Sequence, residues 1–150
     1  IMGSNILEVS AALVNEKVKF ECSAAGRDPV IVDYVPPVGG GEGFTSLELL
    51  LASLASCIGT TVKVLTENRL KKKVENLRVT AKGRRRETHP TYLEKIDIYI
   101  EITCAGLSME EAGRMIHYGR ENICPVINML GSNVCVEITH SVKEPQVVKA

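Results

Sequence analysis

The residues from Thr45 to Leu65 constrain this chain more than any others. They follow a glycine-rich loop (Gly39, Gly40, Gly41, Gly43) and read as one long helix. Thr45 and Glu48 have the spacing of a capping box, in which hydroxyl and carboxylate satisfy free amide hydrogens at a helix start. Apolar residues then run almost all the way round, and such a helix is expected to be buried. Ala52, Ser53, Ala55, Ser56 and Gly59 are small enough to let another helix come close. Cys57 sits in the middle. A thiol placed there either packs or is a reaction centre.

At 150 residues the chain fits a single domain, 1–150, with a core of ordinary size. Eighteen basic side chains balance eighteen acidic ones. That balance argues against a nucleic-acid or membrane-surface binder and leaves self-association unopposed by long-range repulsion. Aromatic residues are scarce and tryptophan is absent, so base-stacking platforms are not expected. No apolar run of membrane-spanning length and no signal peptide is evident, so a cytoplasmic location is expected. The five cysteines, Cys22, Cys57, Cys104, Cys124 and Cys135, include no CxxC. With His89, His117 and His140 scattered, their spacing suits neither a zinc site nor a disulfide framework, so no metal is expected. In a reducing compartment any disulfide would be transient.

Strands are expected near residues 6–14, 18–23 and 30–34, the last ended by Pro36-Pro37. The long helix fades near residues 67–70, where Lys71, Lys72 and Lys73 suit the helix dipole. Strands at 74–82 and 92–103 follow. In the second, Ile96, Ile98, Ile100 and Ile102 share one face, the mark of a half-buried strand. Ser108 and Glu111 form a second capping box, opening a helix to about residue 120. Pro125 suits a first helical position, placing Cys124 at the N-cap of a short helix over 125–130. A last strand covers 134–141, with a loose tail after Lys143. Segregated strands and helices make the class α+β, in the order βββ-α-ββ-αα-β. A helix apolar on every side needs cover on every side, which points to a homodimer.

Several residues are candidates for chemistry. At a helix start, Cys124 gains a lowered pKa from unpaired N–H groups, or is simply a small buried residue. Cys57, mid-helix, has no dipole support and needs a cation from elsewhere to react; otherwise it is an inert core thiol. Cys22, Cys104 and Cys135 read as packing or surface residues. Arg27 reads as a solvated turn residue, Glu48 as a cap, and 71–73 and 84–86 as solvated basic faces. The loop Gly39-Gly-Gly-Glu-Gly43 superficially suggests phosphate binding. It lacks the Lys-Ser/Thr of a P-loop, and its glycines suit close passage of backbones.

Two segments, Gly39-Gly-Gly-Glu-Gly-Phe-Thr-Ser-Leu-Glu-Leu-Leu-Leu-Ala-Ser-Leu-Ala-Ser-Cys57 and Glu121-Asn-Ile-Cys124-Pro125-Val126, resemble the two cysteine segments of the OsmC/Ohr family. These are the osmotically inducible and organic hydroperoxide resistance proteins. The resemblance implies an intertwined homodimer built round paired central helices. It implies a cysteine peroxidase without metal or organic cofactor, with Cys57 peroxidatic and Cys124 resolving. A dithiol, such as a lipoyl protein, would be the reductant. Peroxidases of the family pair an Arg ahead of the helix with a Glu ten residues before the reactive Cys. Arg27 is the only Arg before the helix; Leu47 stands ten before Cys57 and Glu48 nine. The stretch Gly26-Arg27-Asp28 is similar to an OsmC-like branch of less defined activity.

The sequence is therefore compatible with three functions: a hydroperoxide-reducing thiol peroxidase, a protein of the same fold binding a small apolar ligand at a dimer interface, and a thiol carrier working through Cys124.

Overall fold

The computed structural model describes residues 5–147. It contains β1 (Ser10–Leu13), β2 (Phe20–Ser23), β3 (Val30–Val32), α1 (Ser46–Leu70), β4 (Val74–Arg85), β5 (Leu93–Cys104), α2 (Met109–Asn122), α3 (Pro125–Asn128) and β6 (Cys135–Lys143). The element order and the α+β class are those expected. The chain divides into two compact units, residues 1–50 and 51–150, with α1 running across the boundary.

In the first unit, β1, β2 and β3 form an antiparallel sheet in chain order. The strands are shorter than the sequence suggested, because only the paired middle of each run is held in a ladder. The loop before α1 is organised by an internal anion. Asp33 is buried, and its carboxylate accepts N–H bonds from Tyr34 at 2.7 Å and from Gly40 and Glu42 at 3.1 Å. The Glu42 N–H contributes most, and together these donors hold the carboxyl below its ordinary range. The phosphate-like look of this glycine loop thus has another meaning: the amides that would face an anion already bind Asp33. A Cβ on Gly39 would lie 2.1 Å from the Tyr34 carbonyl oxygen, so the close passage of backbones requires glycine there.

In the second unit, β4 pairs antiparallel with β5, and β5 pairs parallel with β6. Ile96, Ile98, Ile100 and Ile102 are fully buried, as their alternation demands. Leu54, Ile58, Val62 and Leu65 form the buried stripe of α1. Gly59 turns toward the sheet rather than toward a helix: a Cβ there would meet Val79 at 3.2 Å. Within one chain the burial of α1 is one-sided; the cover expected on its other side is that of a second chain. Ala52, Ser53, Ser56, Thr60 and Val64 are exposed. The expectation that no run reaches membrane-spanning length is corrected. By length and composition α1 is such a helix, with 25 residues and a mean hydropathy of 1.7 over its most apolar window. Its buried stripe and its Lys63–Glu67 ion pair are those of a packed helix.

Lys72 is not the solvated residue that the run 71–73 suggested. Its ammonium bonds the Gly106 carbonyl at 2.6 Å and both Glu111 oxygens at 2.7 and 2.9 Å. Glu111 also completes the Ser108 capping box of α2. Nor is the start of the tail loose, since Glu144 accepts the Gly106 N–H at 3.0 Å; residues 148–150 lie outside the described residues.

Lys72, and then the Ser108 N–H, push the Glu111 carboxyl from 4.5 down to about 2. A carboxyl depressed on folding stabilises the fold fully above its unfolded value, and that part is lost as pH falls through the folded value. Thermal denaturation of wild type and Glu111→Gln should therefore converge between about pH 4.5 and about pH 2, with the variant less stable above that window. A constant difference through the window would refute this assignment.

Candidate active site

Two thiols meet in the second unit. The Sγ atoms of Cys57 and Cys124 lie 3.1 Å apart, with the Cys124 S–H donating. A disulfide is ~2.05 Å, so about 1 Å of approach makes the bond. Their surroundings differ. Cys57 sits one residue before buried Ile58, at the margin of the buried stripe of α1, and is partly accessible. Cys124 is fully buried at the N-cap of α3 with Pro125 behind it, as its sequence position indicated.

The dipole argument alone misjudges Cys124. Burial, the larger effect, pushes its thiol up, and the Ile127 and Val126 amides offset this only in part. A helix of four residues offers few free amides, while complete desolvation disfavours the thiolate outright. Cys124 is thus kept as a neutral S–H donor, directed at a sulfur with access to solvent.

Backbone and side-chain bonds hold this pair in place. Gly119, in the last turns of α2, accepts N–H bonds from Ile123 at 3.1 Å and Cys124 at 2.8 Å. Asn128 donates its amide to the carbonyls of Cys124 at 2.7 Å and Arg120 at 3.0 Å. Arg120 in turn donates to the Val136 carbonyl at 2.8 Å, anchoring the end of α2 on β6. On the other side, Thr61 donates its hydroxyl to the Cys57 carbonyl at 2.9 Å. No motif in the sequence marks Thr61, Gly119, Arg120 or Asn128 as part of the site. Only Gly119 carried a signal, because a glycine inside a helix implies a packing reason.

The other sequence candidates are engaged elsewhere. Arg27 is exposed in the turn between β2 and β3 and donates to the Ala25 carbonyl at 3.1 Å. Glu48 closes the capping box of α1, accepting the Thr45 N–H at 3.0 Å while the Thr45 hydroxyl accepts the Glu48 N–H at 3.2 Å. The Thr45 amide and hydroxyl hold the Glu48 carboxyl below its ordinary range. Cys104 is buried at the end of β5, and burial pushes its thiol up. Cys22 is half-buried on β2 and Cys135 exposed on β6. Among the described residues no three His, Cys, Asp or Glu side chains are grouped as a metal set.

Oxidation by diamide, which takes two hydrogens from a dithiol, should link Cys57 to Cys124 before it touches Cys22, Cys104 or Cys135. Peptide mapping by mass spectrometry checks this. Equal oxidation of all five thiols would show that the 3.1 Å contact gives no kinetic preference.

A family model described as OsmC-like protein matches residues 39–139, a span that contains both thiols. No curated protein matches. Among solved structures, a hypothetical protein from Aquifex aeolicus is 24% identical at a TM-score of 0.81, aligned over 95% of this chain and 100% of that one. An OsmC-like protein from Mycoplasma pneumoniae is 21% identical at a TM-score of 0.80, over 93% of this chain and 99% of that one. A protein from Legionella pneumophila described as an organic hydroperoxide resistance protein OsmC is 20% identical at a TM-score of 0.73, over 94% and 100%. At such identities these structures establish the fold.

Proposed function

The chain belongs to the OsmC-like protein family, and on that premise we propose that it is a cofactor-independent two-cysteine thiol peroxidase acting on organic hydroperoxides. The observation that carries this reading is the 3.1 Å approach of a solvent-accessible Cys57 and a buried S–H donor, Cys124.

The chemistry balances with these two groups. The Cys57 thiolate attacks the O–O bond of ROOH; the alkoxide leaves and takes a proton as ROH, and Cys57 becomes a sulfenic acid. The Cys124 thiol attacks that sulfur, water departs, and the disulfide forms. A dithiol reductant, a lipoyl protein by analogy with relatives, returns both residues to thiols and is itself oxidised to a disulfide. Burial keeps Cys124 protonated until it attacks the sulfenic acid.

A cation beside the Cys57 thiolate would favour ionisation and steady the leaving alkoxide. On this reading Arg27 supplies it, oriented by a carboxylate for which Glu48 is the candidate. Both belong to the N-terminal unit, and a homodimer provides two routes for Arg27, from its own chain or its partner's. The homodimer has physical support. Among the described residues no buried hydrophobic one precedes Leu54, whereas Leu7, Leu13 and Phe44 are exposed. A three-stranded sheet with no core of its own does not stand alone. The exposed face of α1 forms, with Leu77 and Val79 of β4, a groove of about 470 Å³ lined by Ala52, Ala55, Ser56, Gly59, Thr60 and Lys63. A reducing compartment such as the cytoplasm completes the cycle by keeping the thiols reduced between turnovers.

One equivalent of an organic hydroperoxide added to the reduced protein should give a Cys57–Cys124 disulfide and one equivalent of alcohol. Cys57→Ser should reduce turnover to background. Cys124→Ser should allow a single turnover and accumulate sulfenic or over-oxidised Cys57. Alcohol release that survives Cys57→Ser, or free thiols after exposure to hydroperoxide, would sink the peroxidase and favour ligand binding at the interface. Light scattering should give twice the chain's mass; a monomeric mass would remove the dimer.

A further inference from the structure

We infer that Gly119 is a positioning residue, whose missing side chain lets the end of α2 settle on Thr61 and so sets the approach of Cys124 to Cys57. The inference rests on reading the two cysteines as a redox pair, and it adds what holds them at bonding range.

The contacts form a closed ring. Cys57 and Thr61 are one turn apart on α1, and the Thr61 hydroxyl bonds the Cys57 carbonyl at 2.9 Å. Thr61 is buried and faces Gly119 of α2. The Gly119 carbonyl accepts the Cys124 N–H at 2.8 Å. The Cys124 thiol returns to Cys57 across 3.1 Å. Of these links, Thr61 to Gly119 is the one made by shape alone. A Cβ on Gly119 would stand 2.7 Å from Thr61 Cγ2 and 3.4 Å from Leu65 Cδ1. Thr61 has little freedom to yield, since it is β-branched on a helix and its hydroxyl is already committed. The end of α2 would therefore have to withdraw, taking the Gly119 carbonyl and the Cys124 amide with it. Arg120 and Asn128, bonded on either side, tie the same end of α2 to Val136 and to Cys124, so the withdrawal is not absorbed by a loose terminus.

A glycine within a helix is otherwise a cost of about 1 kcal/mol against alanine. Judged by helix propensity alone, Gly119→Ala would be stabilising. A loss of thiol coupling in that variant accordingly points to the contact with Thr61 rather than to a weakened helix.

The test is equilibration of the reduced protein with oxidised glutathione, which returns two glutathione thiols for each Cys57–Cys124 disulfide. The equilibrium yields the effective concentration of one thiol at the other. Displacements of up to 1 Å at a reacting pair cost as much as ~100-fold. Gly119→Ala should lower the effective concentration about tenfold or more. In a Thr61→Ser background, which removes Cγ2 and keeps the hydroxyl bond, the same substitution should cost less than about threefold. A value unchanged by Gly119→Ala overturns the inference, as does a loss that persists in the Thr61→Ser background. Should Gly119→Ala not fold, the double variant decides: recovery of fold and disulfide supports the contact, and failure to recover overturns it. The readout needs no hydroperoxide. If wild type forms the disulfide with glutathione yet does not reduce hydroperoxides, the peroxidase reading fails alone. If wild type forms no disulfide at all, the redox-pair reading fails before the variants are compared.

Discussion

The one-sided burial of α1 governs the rest of this structure. Leu54, Ile58, Val62 and Leu65 share the core of the second unit with the isoleucine row of β5. Each fully buried side chain of this size contributes roughly 1.5–3 kcal/mol. With that stripe turned inward, helical geometry leaves no choice for the neighbouring positions. Cys57 and Thr61 fall on its margin, one half-accessible and one buried, at the place where the end of α2 and the start of α3 arrive. The approach of the two thiols is thus a consequence of how a hydrophobic stripe is oriented.

The electrostatics of the pair depend on the same packing. A cysteine before Pro125 at a helix start would ordinarily be a candidate for easy ionisation. Full burial outweighs the amides of a four-residue helix, and the thiol stays protonated. The two sulfurs therefore differ in character although both are cysteine: one is sealed and donates its hydrogen, the other has access to solvent. In the proposed function this division gives the two sulfurs successive roles: the accessible one would meet the hydroperoxide, and the sealed one would complete the disulfide.

Outside the core, two features share one physical origin. The N-terminal sheet has apolar side chains but no buried hydrophobic residue, and α1 leaves a face of mostly small residues, Ala52, Ser53, Ser56, Thr60 and Val64, exposed. Each is an unusual exposure for a chain on its own, and the homodimer proposed above would cover both. Zero net charge places no long-range penalty on that pairing. The Asp33 anchor fits the same account, because it orders the glycine loop by backbone hydrogen bonds where no hydrophobic core is available to do so.

What the sequence by itself determined were features that depend on neighbours along the chain. Alternation marked β5, the capping boxes at Thr45 and Ser108 marked the starts of two helices, and Cys124-Pro125 marked a third. Each is a local stereochemical rule, so short segments suffice to reveal it. Tertiary structure decided what distant segments do to one another. It brought Cys57 and Cys124, sixty-seven positions apart, to 3.1 Å, because the core and the Gly119–Thr61 contact impose that register. It decided between the two readings of Cys124, with burial pushing the thiol up, since burial is a property of the assembled core. It gave the glycine loop an internal anion and Lys72 a part-buried partner, because hydrogen bonds between remote segments leave no periodic trace in the sequence.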